Sequence, residues 1–223
     1  MVSIAVDGPA GAGKSTVSRG VAKTLGFIYV DTGALYRTVA LGMLRGNVNT
    51  DSVADVKEQL KNLKVEIKYV GAEQRVFLNG EDVSDKIRTN EISMLASKVS
   101  AYSPVREFLL FLQRDLAKTN NVIMDGRDIG TVVLPDATVK IYLTADAEDR
   151  ANRRYKELLE RGEKADYAEI LADVNRRDYN DMHRDIAPLR QAEDALLVDT
   201  TGNNLEQSVE LMTKIIKEKL GEE

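Results

Sequence analysis

Residues 3 to 16, Ser3-Ile4-Ala5-Val6-Asp7-Gly8-Pro9-Ala10-Gly11-Ala12-Gly13-Lys14-Ser15-Thr16, leave a chain few choices of fold. An apolar β-type run ends at Asp7, a glycine-rich loop follows, and an amphipathic helical stretch begins at Lys14 and Ser15. Gly8-x4-Gly13-Lys14-Ser15 fits G-x-x-x-x-G-K-[ST] without a mismatch, and the flanks supply the strand and helix that the pattern needs as context. A strand-helix turn that is merely glycine-rich would be the plainer reading.

The residue types explain the chemistry. Glycines carry no Cβ, so successive backbone N–H groups can turn inward around one anion. The following helix N-terminus adds unpaired donors and partial positive charge. Lys14 would reach the β- and γ-phosphates, and the Ser15 hydroxyl would sit on Mg²⁺. Gly8, Pro9, Ala10, Gly11, Ala12, Gly13, Lys14, Ser15 and Thr16 are therefore the expected site of a magnesium-bound nucleoside triphosphate. The loop does not say whether the phosphoryl group goes to water or to an acceptor.

Composition narrows the answer by exclusion. There is no cysteine, so disulfides, thiolate metal sites and cysteine nucleophiles are out. A single histidine, His183, makes a His-rich zinc site or a Ser-His-Asp centre implausible; it reads as a surface residue. A net charge of −5 offers no global footprint for a nucleic-acid partner. The N-terminus runs straight into a strand, and no stretch approaches the roughly 20 apolar residues of a membrane helix. The expectation is a cytoplasmic protein with small-molecule partners and no membrane. No coiled-coil pattern or interface stripe favours assembly, so a monomer is expected. At 223 residues the chain suffices for one α/β domain with an insertion or a lid.

The pattern along the chain predicts the scaffold. Helix over Thr16–Leu25, stopped at Gly26, leads to a short strand Phe27–Val30, a polar turn Asp31-Thr32-Gly33 and a helix from Ala34 to Leu44. Such a β-α-β-α opening implies a parallel sheet covered by helices, with ligands at the carboxyl ends of its strands. Val53–Leu63 reads as helix. Val65–Val70 then alternates, turns at Gly71-Ala72-Glu73, resumes over Arg75–Leu78 and turns again at Asn79-Gly80, with Glu81–Ile87 as a possible third strand. Helices follow over Ile92–Tyr102 and Val105–Lys118, separated at Ser103-Pro104. Strands at Asn121–Met124, Val139–Leu143 and Ala195–Val198 alternate with helices at 146–161, from Tyr167 to about His183, and Leu205–Leu220. The prediction is α/β: a five-stranded parallel P-loop core sheet wrapped by helices, a small antiparallel β insertion and a short helical lid. Residues 1–38, 119–150 and 185–223 form its core, 39–118 an acceptor region with the insertion at about 64–88, and about 151–168 the lid.

Arginines gather near the strand-end loops. Arg37 and Arg127 follow the second and third strands. Arg150, Arg153 and Arg154 share a helix face at i, i+3 and i+4, and Arg177, Asp181 and Arg184 share another if the helix runs that far. Singly each reads as a solvated charge with local ion pairs. Together, in an acidic chain, they imply a second anion pocket. A water-splitting switch has no use for one, and the Asn-Lys-x-Asp tetrapeptide of guanine recognition is missing. A kinase acting on a phosphorylated acceptor needs one. Its acceptor is already largely ionised, because phosphate monoesters have a second pKa near 6, so no histidine base is required. Lys14, Mg²⁺ and arginines would position and neutralise, with Arg153 and Arg154 closing over the transferring group.

Several stretches together resemble bacterial-type cytidylate (CMP) kinases: residues 4–16, Asp31-Thr32-Gly33-Ala34-Leu35-Tyr36-Arg37, Asp125-Gly126-Arg127-Asp128-Ile129-Gly130-Thr131, and Arg177-Asp178 through Ala187-Pro188-Leu189. The resemblance runs essentially the length of the chain and includes the insertion. It implies a nucleoside monophosphate kinase of pyrimidine metabolism, phosphorylating CMP and dCMP from ATP. It implies that Ser97, Arg106 and Asp128 hold the cytosine ring, that Arg37, Arg127 and Arg184 contact the acceptor phosphate, and that Arg177 and Asp181 face the sugar. Thr32 stands where many members carry Ser, keeping the hydroxyl. Ser97 could equally be a tolerated hydroxyl on a helix surface. Kinases for other nucleotides or for metabolites such as shikimate are the competing enzymes.

Overall fold

The computed structural model describes residues 1–71, 73–160 and 162–221. Ala72, in the expected hairpin turn, and Arg161, at the expected end of the lid helix, lie outside the described residues. The described chain falls into two compact units, one of Val2–Ile28 with Asn121–Glu223 and one of Tyr29–Asn120 with Met1.

In the first unit, β1 (Ser3–Asp7), β6 (Val122–Asp125), β7 (Val139–Thr144) and β8 (Leu196–Asp199) are parallel neighbours; the five-stranded sheet has the order β2-β6-β1-β7-β8, and of β2 (Ile28–Asp31) only Ile28 belongs to this unit. Ile4, Ala5, Val6, Ile123, Met124, Ile141 and Leu143 are almost wholly buried, the continuous apolar run expected of strands covered on both faces. Helices α1 (Lys14–Leu25) and α8 (Leu205–Leu220) pack on the sheet and on each other, while α6 (Ala147–Glu160) and α7 (Tyr167–His183) pair with one another. Helix α8 starts on a capping box, with Asn204 and Gln207 each accepting from the other's backbone N–H. Register sets Val6 opposite Asp125 and Asp7 opposite Tyr142, so the loops after β1 and β6 leave the sheet side by side.

The second unit holds α2 (Thr32–Arg45), α3 (Val53–Leu60), the antiparallel strands β3 (Val65–Val70), β4 (Glu73–Leu78) and β5 (Glu81–Asp82), then α4 (Asn90–Val99) and α5 (Ser103–Thr119). Its own core gathers Leu35, Val39, Met43, Val56, Val76, Leu78, Ile87, Ile92, Val105 and Leu109. The Asn79-Gly80 turn has positive φ at both positions, 50° and 85°, the geometry of a tight hairpin.

Three elements depart from the pattern reading. The third insertion strand is two residues, not seven, because Asp82 turns onto the backbone and side chain of Ser84. Helix α7 ends at His183, so Arg184 has extended backbone and leaves the face of Arg177 and Asp181. The chain then turns through Ala187, at φ 48°, and Leu189 N–H returns to the Asp181 carbonyl. After β6, residues Ile129–Val133 form a single π-helical turn that no periodicity announces. Among the described residues no helix is long and apolar enough to cross a membrane.

Candidate active site

The glycine-rich loop takes the conformation its sequence demands. Gly8, Gly11 and Gly13 sit at φ 150°, 76° and 81°. A Cβ on Gly8 would fall 1.9 Å from the Leu143 carbonyl oxygen, so only glycine fits where the loop crosses β7. Gly13 hands over to α1, whose first residues are Lys14 and Ser15. The Lys14 ammonium is buried and donates to the carbonyls of Gly8 and Pro9, both at 2.7 Å. Burial and the neighbouring Arg127 push it down to about 7, against the pull of Asp125 and Asp181. Ser15 Oγ donates to Asp125 Oδ2 at 2.7 Å.

That hydroxyl–carboxylate pair fits the hard-oxygen set that Mg²⁺ prefers, few protein ligands beside waters and phosphates. In P-loop proteins a Ser or Thr of the loop and an Asp at the end of a neighbouring strand hold the ion. Asp125 was not singled out in the sequence as a site residue. Its signal was there: an acid closing an apolar strand at the same sheet edge as the loop.

The loop after β6 is pinned from β1. Asp7 accepts from the Ile129 and Gly130 N–H groups, each at 2.7 Å, and is 5% exposed. Burial raises its carboxyl to about 6 despite those two bonds; Asp128 adds to the rise and Lys14 opposes it. Asp128, buried beside the Arg184 guanidinium at 3.7 Å, thus has its backbone fixed by its two successors. Asp7 too escaped notice in the sequence, where it read only as the end of a strand.

Arginines of this unit are held by acids. Arg127 Nε donates to Asp181 Oδ2 at 2.7 Å. Burial works against its charge, but Asp181, Asp125 and Asp178 outweigh it and hold the guanidinium above its ordinary value. Arg153 lies beside the loop, its Nη1 3.6 Å from the position a Gly13 Cβ would take; it pairs with Asp149 and donates to the Thr200 carbonyl. Arg154 points to Glu157 and is exposed, as is Arg177. The third member of that face differs from its neighbours. Arg150 is 5% exposed and donates to the carbonyls of Ala145 and Ala10 and to Asp178 Oδ2. It braces the phosphate loop against α7 and does not line an anion pocket.

In the Tyr29–Asn120 unit, Asp31 caps α2 by accepting from Ala34 N–H at 2.8 Å and pairs with Arg37 at 3.0 Å. Arg37 Nε is buried with no hydrogen-bond partner among the described residues. Thr32 is buried at the same helix start. Arg106 is buried, donates to the Ser100 carbonyl and stands 5.6 Å from the Tyr36 ring centroid. Ser97 is exposed on α4. His183 is exposed and stacks on Tyr179 at 4.0 Å, one turn earlier.

A sequence model of the cytidylate kinase family matches residues 4–218. The chain belongs to the cytidylate kinase family. The cytidylate kinase of Caldicellulosiruptor saccharolyticus is 50% identical over 222 residues, 100% of this chain and 98% of its own. That of Citrifermentans bemidjiense is 48% identical, with 99% of this chain and 95% of its own covered. Among solved structures, an uncharacterized protein from Eubacterium ventriosum shares the fold, with a TM-score of 0.53 at 11% identity over 97% of this chain and 99% of its own. A cytidylate kinase family member with this loop is a phosphotransferase that uses a nucleoside triphosphate.

Proposed function

We propose that this chain transfers the γ-phosphoryl group of ATP to the phosphate of CMP and dCMP, giving CDP and dCDP. The observation that carries the reading is the end-to-end match to cytidylate kinases. The buried, doubly capped loop of Asp128 supports the choice of base.

The roles follow from charge and geometry. The N–H groups of Gly8 and of Ala10 to Thr16 cradle the donor phosphates. Lys14, now folded on the Gly8 and Pro9 carbonyls, turns its ammonium to the β- and γ-phosphates. Ser15, oriented by Asp125, would offer its hydroxyl to Mg²⁺, which would supply positive charge to the donor phosphates. Arg37, Arg127 and Arg184 hold the acceptor phosphate, and Arg177 and Asp181, with Thr32, face the sugar side. Asp128 accepts from the cytosine N4 amino group, Arg106 donates to the N3/O2 edge, and Ser97 assists at the ring. Uracil reverses both polarities and would leave buried polar groups unpaired, a rejection of roughly 10⁴-fold. Arg153 and Arg154 neutralise charge on the phosphoryl group in transit. No side chain need remove a proton, since the attacking oxygen is ionised near neutral pH.

Coupled ADP release with CMP, dCMP, UMP, AMP and shikimate tests the reading. CMP and dCMP are expected to turn over well and the others poorly; equal rates on UMP or AMP would refute the base recognition. Asp128→Ala is expected to raise KM for CMP far more than KM for ATP. Equal losses for both would point to a folding defect.

A further inference from the structure

The inserted antiparallel sheet does something its apolar content does not require. Register pairs Val65 with Leu78, Ile67 with Val76 and Tyr69 with Gln74, and strand alternation sets these six on one face. Four are apolar: Val76 and Leu78 are buried, and Val65 and Ile67 pack on the same core. The last rung of that inward face is an amide and a phenol.

Both reach the backbone of β2. Gln74 Oε1 accepts from Asp31 N–H at 2.8 Å, and Gln74 Nε2 donates to the Asp31 carbonyl at 3.3 Å. Tyr69 donates its hydroxyl to the Tyr29 carbonyl at 3.1 Å. Burial pushes that phenol further up, so it remains a donor at every working pH. β2 is the outer strand of the five-stranded sheet. Residues 29 and 31, two apart, turn their backbone polar groups to the same side, where a further strand would pair. Two side chains from one rung of the hairpin take that strand's place.

What they grip is the residue that holds Arg37. Asp31 is 6% exposed; its Oδ1 caps α2 and its Oδ2 takes the Arg37 Nη2. A backbone rotation at Asp31 would carry the carboxylate, and with it the guanidinium. The geometry points to Gln74 and Tyr69 as positioning residues for Arg37, with the inserted sheet acting as a clamp on the β2–α2 junction, where Asp31 holds the Arg37 guanidinium. This rests on the proposed role of Arg37. It gives the insertion a part in the reaction, and it accounts for a polar pair on an inward face.

The test uses the full chain with CMP and ATP each varied. Gln74→Ala removes two neutral hydrogen bonds, each worth about 0.5–1.5 kcal/mol, which converts to a rise of roughly 5- to 160-fold in KM for CMP. The kcat and the KM for ATP are expected to stay within about two-fold, the signature of lost acceptor binding alone. Arg37→Lys is expected to raise KM for CMP as well, and Gln74→Ala added to it should contribute under about two-fold, since coupled residues are not additive. An unchanged KM for CMP in Gln74→Ala, with Arg37→Lys impaired, overturns the clamp and leaves the acceptor reading standing. A normal KM in Arg37→Lys removes the reading of Arg37, and the clamp with it. Fully multiplicative effects show that Gln74 does not act through Arg37. If Gln74→Ala does not fold, Tyr69→Phe keeps the ring packing and deletes only the hydroxyl; KM for CMP should then rise alone, and no rise overturns the proposal.

Discussion

Lys14 shows how one residue can be legible in the sequence and still be misjudged without tertiary structure. Its place in the motif marked it as a phosphate ligand. Its burial, with Arg127 near, depresses it to about 7, so near neutral pH a share of the molecules carry it uncharged. A polyanion beside it restores the charge. At pH 8, where the ATP phosphates are already ionised, binding is expected to take up protons, and apparent affinity to fall as pH rises from 7 towards 9. Calorimetry in buffers of different ionisation enthalpy reads the uptake; zero uptake at pH 8 would contradict the assignment. Lys14→Ala is expected to lower kcat by roughly 100- to 1,000-fold through loss of charge on the transferring group; a near-normal kcat would exclude that role. Asp7 and Asp125 are the reverse case. Both ended apolar strands and read as punctuation, because nothing local tells an acid that faces solvent from one that accepts two backbone N–H groups or a serine hydroxyl.

Among elements, α6 carries three arginines in one short run with three different fates. Helical spacing put them on a common face, and α6 is indeed a helix. The spacing could not say that Arg150 would be spent on the Ala10 and Ala145 carbonyls and Asp178, while Arg153 stayed beside the phosphate loop and Arg154 stayed exposed. Arg153→Ala is accordingly expected to lower kcat by roughly ten-fold or more with little change in KM for either substrate, as loss of an interaction made in the transition state does. A change confined to KM would assign Arg153 to ground-state binding. The β6–β7 connection makes the same point for backbone. Asp125-Gly126-Arg127-Asp128 was readable as a motif, but its π-helical turn exists because Asp7, more than a hundred residues earlier, collects two of its N–H groups.

For the molecule as a whole, these buried charges shape stability against pH. Asp7 holds its proton to about 6 in the folded chain, against 3.8 when unfolded. Between those values the folded state binds more protons, so this group's contribution falls as pH rises from about 4 to 6, by of order 3 kcal/mol. Lys14 runs oppositely. Its value drops from 10.5 to about 7 on folding, so the unfolded state binds more protons between them, and stability from this group rises with pH across that window. Denaturant melts of Asp7→Asn and the parent at pH 4, 5, 6 and 7 isolate the first effect: the difference between them should change steadily up to pH 6 and then level. A difference independent of pH would deny the burial of the Asp7 charge. By itself the sequence determined the phosphate loop, the parallel core and the hairpin insertion, because hydrophobic period, glycine placement and strand-end polarity are local and survive without a neighbour. Only the tertiary structure decided which acids grip which backbone, which arginine braces the loop, and that Gln74 and Tyr69 take the place of a strand at the edge of β2. Those choices depend on contacts between residues distant in sequence, where composition and spacing carry no signal.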